Sequence, residues 1–230
     1  MKRFIQTIRN IYKIEDLRKR IIYTLGLVLI YRLGSYVVLP GIDPSQLGAL
    51  EEQTKDGILG LLNMFSGGAF SNASIFALGI MPYISASIVI QLLGMAIPYF
   101  QKLQKEGESG RKKMNQITRY LTVLITAGQA PAYLGNIISQ LPNEAISPFD
   151  PGVSNPTTFF WVSSIIILTA GTMFVMWLGE RITDKGVGNG ISLIIMIGII
   201  ARLPFALFAE FFSRMEEQGG GLVVFIVELV

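Results

Sequence analysis

Ile80 and Ile84 stand one helical turn apart, which sets their side chains on one face. Pro82 lies between them and removes a backbone donor, loosening the local helix. Ser85, Ser87 and Gln91 add polar groups to the same stretch. Ile194 and Ile195 come early in a later apolar run, just after a glycine-rich turn. The chemistry open to isoleucines in a ring is the exclusion of water, a constriction that gates by dewetting. The alternative is that they only pack helix against helix. Gln91 and Gln129 also read in two ways, as hydrogen-bond glue between helices or as a polar seam between separable ones.

Other chemistries find little to work with. The chain has no Cys and no His, which removes disulfides, thiolate or imidazole metal sites and His- or Cys-based catalysis. Lys185-Gly186-Val187-Gly188-Asn189-Gly190 is glycine-rich, but no Lys-Ser/Thr pair follows it and no strand precedes it. It therefore reads as a tight turn and not as a phosphate loop. An ion-coupled secondary transporter, the rival class, needs an ionisable residue near the membrane midplane. The complete apolar spans carry no Asp or Glu in their middle, and Arg32 lies near enough to a span end to snorkel. The loop 101–113, QKLQKEGESGRKK, is charged and broken by Gly107 and Gly110. It reads either as a solvated loop near anionic head groups or as a docking site for a cytosolic partner.

The elements that must carry these residues are apolar. The chain is 51% hydrophobic and 15% charged, with mean hydropathy +0.51. Spans are predicted at 21–39, 75–97, 117–138, 157–178 and 191–208, with a sixth beginning near Leu222 and stopping at Val230, too short to cross. The chain therefore reads as truncated inside an element. A secretory signal is disfavoured at the start, because the first apolar run is long and no small-residue cleavage pattern follows it. Of 19 Lys+Arg, seven lie in 1–20, six in 101–119 and two in 181–185. The loops 1–20, 99–116 and 179–188 that carry them are predicted to be cytoplasmic, and 39–56, 139–156 and 209–221 to face outward. Trp161 and Trp177, about 24 Å apart along a helix, suit the two interfacial belts or ordinary packing.

One segment fails to cross. Residues 58–65 are apolar but rise only about 12 Å as a helix, and Ser66-Gly67-Gly68 breaks them from the long apolar run that follows. Irregular backbone at membrane depth is tolerated only inside protein or against water. The segment is predicted to be re-entrant and to line a cavity.

At this point the residues resemble a known family. YRLGSYVVLPGID, LNMFSGGAFSNASIFALGIMPYISASIVIQLL, KEGESGRKK and AGTMFVMWLGERITDKGVGNGIS are similar to the SecY family, the channel subunits of the protein-conducting translocon. The likeness runs from the first span to the last residue in family order. It implies an all-α polytopic membrane protein, half of a ten-helix channel built from inverted repeats. The layout expected from it is a cytoplasmic amphipathic N-terminus at 1–20, a five-helix half at 21–208 and an outer loop with the start of the sixth helix at 209–230.

The resemblance also implies roles. Residues 58–71 are similar to the plug, carried by Ile58, Leu59, Leu61, Leu62, Met64, Phe65, Ser66, Gly67 and Gly68. Ile80, Ile84 and Ile195 correspond to the pore ring, with Ile194 the alternative to Ile195 by register. Ser85, Ile88, Gln91 and Gln129 fall along the lateral gate, and Lys105, Arg111, Lys112 and Lys113 on the docking loop. The implied function is to pass unfolded secretory proteins across the plasma (inner) membrane and membrane segments laterally into it. The implied partners are small membrane subunits of the SecE and SecG type, the SecA motor ATPase or the ribosome, signal sequences, nascent chains and lipids. No enzymatic activity, cofactor or direct nucleotide site is expected.

Overall fold

A computed structural model describes residues 14–48, 57–141, 146 and 158–216. The predicted amphipathic segment at 1–13, the outer stretches 49–56 and 147–157 and the sixth element at 222–230 lie outside them. Among the described residues the secondary structure is seven α-helices and one 3-10 turn, Pro44–Gln46. The helices are α1 Glu15–Gly34, α2 Gly57–Phe65, α3 Met81–Ala96, α4 Pro98–Lys105, α5 Glu108–Gln140, α6 Thr158–Lys185 and α7 Gly190–Glu216. The all-α expectation holds. Among the described residues, isolated bridges pair Val38 with Ser74 and Ile42 with Ile146.

Helix α6 is the hub. It packs on α5, α7, α1 and α3, and α3 packs on α5. Small residues let the backbones approach. An alanine at Gly190 would run into the Gly179 carbonyl, and one at Gly186 into Thr24 Oγ1 and the Ile182 carbonyl. The glycine-rich segment is the tight turn its composition suggests. Gly188 takes φ +72°, Asn189 Oδ1 accepts from the N–H groups of Ile191 and Ser192, and Thr24 Oγ1 accepts from Val187 N–H at 3.1 Å.

Several predicted boundaries move, each for a local reason. The first span is helical only to Gly34, the chain turns at Ser35 and Tyr36, and Val38 then makes an isolated bridge, so apolarity overestimated helicity. The second span is not helical from 75: turns fill 75–80 and α3 starts at Met81. Pro82 thus sits in the first turn, where a missing N–H costs no bond, and does not interrupt a longer helix. Helix α3 is 16 residues long and meets α4 at a 99° bend before Pro98. The charged stretch 101–113 is largely helical, in α4 and the start of α5. Only Gly107 (φ +70°) breaks it, while Gly110 lies within α5, packed where a Cβ would meet the Leu103 carbonyl. Helix α7, which carries the fifth predicted span, passes through Pro204 to Glu216, so the predicted outer loop from 209 begins as helix.

Among the described residues, α5 and α6 are each long and apolar enough to cross a membrane, and α3 with α4 adds a third if the bent pair counts as one. The first part of α7, Gly190–Ala201, is apolar but shorter.

Candidate functional site

The segment that fails to cross returns into the middle of the bundle. Helix α2 ends in a Schellman cap: Gly68 N–H donates to the Asn63 carbonyl at 2.9 Å and Gly67 N–H to the Met64 carbonyl at 3.1 Å. Gly67 takes φ +66°, a left-handed conformation that glycine adopts without the cost of a Cβ. Its backbone lies directly on α7, where a Cβ would approach Gly198 Cα within 2.9 Å. The following residues, 66–80, are irregular and almost wholly buried. Every backbone N–H from Ser66 to Ala77 nevertheless has an acceptor, including Ser66 Oγ for Phe70, Asn63 Oδ1 for Ser71 and the Val37 carbonyl for Ile75. Irregular backbone survives at this depth because protein replaces the water it lacks.

Two helices hold this turn from opposite sides. From α1, Tyr31 Oη donates to the Ser66 carbonyl at 3.3 Å and Arg32 Nη1 to the Gly67 carbonyl at 3.0 Å. From α5, Tyr133 Oη donates to the Phe70 carbonyl at 2.9 Å, with its ring edge-on to Phe70 at 4.8 Å. Phe76 stacks on Tyr31 and Phe174 and presses against Gly34. Arg32, expected to snorkel, is half-buried: its guanidinium donates to the Gly67 carbonyl and also lies over the exposed Tyr36 ring.

Of the isoleucines, Ile80 is buried just before α3, and its carbonyl accepts from Ile84 N–H at 3.1 Å, keeping the two one turn apart on one face. Ile84 and Ile195 are partly buried, and both pack on the same apolar cluster as Ile80, Leu27, Phe76 and Val175. Ile194 is 1% exposed, sealed against α6 near Gly179. Helices α3 and α7 thus bring the predicted isoleucines to one place.

A cavity of about 350 Å³ opens between α2, α3 and α5. Leu59 and Leu62 of the short helix line it, with Met81 and Ser85 of α3 and Gln129, Tyr133 and Asn136 of α5. Of the four predicted gate residues, Ser85 and Gln129 both line this cavity, whereas Ile88 and Gln91 are exposed elsewhere on α3. Gln91 Nε2 donates to Ser87 Oγ at 3.2 Å along its own helix. Within the short helix Leu61, Met64 and Phe65 are exposed, and the side chain of Ile58 lies outside the described set.

The predicted docking cations are exposed on the helical arm. Lys112 pairs with Glu108 at 2.9 Å and Lys113 with Glu106 at 4.0 Å, while Lys105 ends α4. Nearby, Arg119 of α5 makes a two-pronged bond to Glu180 of α6, with Nε donating to Oε1 at 3.3 Å. Trp177 stacks on Phe174 and lies under Arg181, whereas Trp161 packs beside Gly135.

Sequence reasoning missed Tyr31, Tyr133, Asn63 and Gly198 as parts of this site, and Arg202 as a second cation inside a predicted span. A signal existed for Asn63, the lone amide in an apolar helix. Nothing in spacing links Tyr133 to Phe70, 63 residues away.

Comparison with known proteins bears on the family and the fold. The SecY family model matches residues 74–230. The protein translocase subunit SecY of Escherichia coli (strain K12) is 49% identical over 193 residues, covering 84% of this chain and 42% of that protein. The SecY subunit of Streptomyces scabiei is 45% identical over 225 residues, covering 93% of this chain and 49% of its own length. Among solved structures, one described as a protein conducting channel superposes with TM-score 0.52 at 18% identity, covering 91% of this chain and 43% of that one. Sec61 in the canine ribosome-channel complex from the endoplasmic reticulum gives the same TM-score and identity, with 44% of its length covered. The chain spans a little under half the length of these relatives. With the match of its family model over residues 74–230 and these identities, the chain belongs to the SecY family.

Proposed function

We propose that this chain supplies one half of a protein-conducting channel. That channel passes unfolded secretory proteins across the plasma (inner) membrane and releases membrane segments sideways into lipid. The observation that carries the reading is the short helix α2, which cannot cross and turns back at Gly67 against Gly198, beside the cluster holding Ile80, Ile84 and Ile195. A stopper and the constriction it stops need that adjacency.

In this reading 58–71 is the plug, entering from the outer side, and the N-terminus is cytoplasmic because the basic loops stay inside. Ile80, Ile84 and Ile195 are the ring. The partly exposed Ile195 is preferred to Ile194, whose side chain is spent on α6. Isoleucines offer a passing chain contact without directional bonds, which suits substrates of any sequence, and they exclude water when no chain is present. Ser85, Ile88, Gln91 and Gln129 border the lateral gate. The 350 Å³ cavity between Ser85 and Gln129 supports a seam that can part. Lys105, Arg111, Lys112 and Lys113 receive a cytosolic partner, the SecA motor ATPase or the ribosome, which supplies the energy. Small membrane subunits of the SecE and SecG type complete the assembly with the other half. The layout 1–20, 21–208 and 209–230 follows from the same assignment.

The test is a secretory nascent chain carrying a photocrosslinker, stalled in the full-length subunit within its membrane complex. Labelling is expected at Ile80, Ile84 and Ile195. Labelling confined to outward-facing positions such as Leu25, Leu29 and Met95 overturns the pore.

A further inference from the structure

The short helix and the turn it enters differ in how they are held. Leu61 is 57% exposed and Met64 42%, and α2 rests on α7 and, through the partly buried Leu59 and Leu62, on the apolar cluster of Phe70 and Tyr133. From Ser66 onward the chain is buried, every N–H to Ala77 is bonded, and Tyr31, Arg32 and Tyr133 hold three of its carbonyls. These holders belong to α1 and α5, which are themselves packed into the bundle. Beyond the backbone bonds of its last turn, which Leu62 and Met64 also make, the side chain of Asn63 bonds across the divide. Asn63 is 1% exposed on an otherwise apolar helix, and its two oxygens both face the root. The carbonyl accepts from Gly68 N–H at 2.9 Å and from Ser66 Oγ at 3.0 Å, and Oδ1 accepts from Ser71 N–H at 3.1 Å.

We propose that Asn63 is the latch of the short helix: the part that moves ends at Phe65, the root from Ser66 to Ala77 stays with the scaffold, and the Asn63 carboxamide on Ser71 N–H holds one to the other. This rests on the reading of α2 as a movable stopper, and it narrows the moving part from 58–71 to the helix alone. Swinging α2 outward must open the cap and strip Ser71 N–H of its acceptor in a buried site, so the latch opposes opening. Leucine at 63 has nearly the same volume and no acceptor. It lacks the Asn63 to Ser71 bond in both positions, which removes that bond's preference for the seated one. Asn63 is thus a positioning residue, acting on the seated state of α2 and touching no substrate.

The test uses the full-length subunit in its membrane complex, with spin labels on cysteines placed at Leu61 and Val162 for the helix and at Asn72 and Val162 for the root. This chain itself contains no cysteine to compete. Asn63→Leu is expected to raise the displaced population in the Leu61 distance distribution about tenfold while the Asn72 distribution stays put. Asn63→Asp, which keeps an acceptor oxygen, is expected to remain within about twofold of the parent. If Asn63→Leu does not assemble, Ser66→Ala deletes one oxygen that bonds Asn63 and Phe70, and the same split is expected at smaller amplitude. Distances that move together, or not at all, overturn the latch. These distances do not depend on what passes the pore, so a failed nascent-chain experiment leaves this result readable by itself.

Discussion

Gly171 of α6 lies against the carbonyl of Ile75, so close that a Cβ has no room, with the Phe76 ring 3.3 Å from the same point. That approach seats the irregular segment between α1 and α6 and makes the rest of the site possible. Gly171→Ala must push backbone apart. A loss of about 1–3 kcal/mol is expected, read as a lowered thermal midpoint of the purified complex. Gly26 on α1 has open space around it, so Gly26→Ala should hold or slightly raise the midpoint through helix propensity. Equal effects at the two positions would contradict the close-approach account.

Tyr133→Phe removes the shorter of two bonds to the buried Phe70 carbonyl and leaves it the Ala73 N–H at 3.3 Å. Destabilisation of about 0.5–1.5 kcal/mol is expected, with the ring contact retained. Tyr133→Leu loses the edge-on aromatic pair as well and should be worse. The comparison is by chemical denaturation in one detergent. A phenylalanine variant as stable as the parent would show that the bond is replaced by water.

Ile84→Asn places an amide on the face shared with Ile80, in the cluster with Ile195. A dewetted constriction should then hydrate, and ion conductance of the resting channel in a planar bilayer should rise. Unchanged conductance would count against the isoleucines as the seal.

Arg119 and Glu180 join α5 to α6 through a two-pronged bond, but Arg119 is about half exposed (48%). Solvent screening limits its contribution to about 0–1 kcal/mol. Glu180→Gln should therefore change the midpoint little and blunt its dependence on salt. A large loss would mean the pair carries more of the α5–α6 packing than its exposure implies.

Asp43 caps the turn Pro44–Gln46, accepting from Ser45 N–H at 2.9 Å and Ser45 Oγ at 2.8 Å. The backbone N–H first, then the hydroxyl, hold its carboxyl below the ordinary value. A depressed folded pKa means the cap is complete above the unfolded pKa and is lost as pH falls through the folded one. Amide exchange at Ser45, corrected for intrinsic rate, should lose protection in acid. Asp43→Asn should show no such acid step.

Much of the fold was legible because membrane helices announce themselves by composition. Apolar runs long enough to cross, basic residues in alternate loops and one run too short to cross follow from single-residue hydropathy and chain rise. The glycine-rich turn and the one-turn pairing of Ile80 with Ile84 needed only local geometry. Helix ends were less legible. Residues 75–80 are as apolar as the helix they precede, and only their bonds to Val37 and to their own turns keep them irregular.

By itself the sequence determined the helical class, the failure of 57–65 to cross, the break at Gly67-Gly68 and the family. Each of these depends on composition or on neighbours a few residues apart. The tertiary structure alone decided that Arg32 turns inward to Gly67, that Tyr133 reaches Phe70, that Gly198 receives the turn and that Ser85 and Gln129 share a cavity. Those pairs lie tens of residues apart or more. A hydrogen bond is specified by two atoms meeting within about 3 Å, and no periodicity along one chain records which distant backbone carbonyl will need a donor.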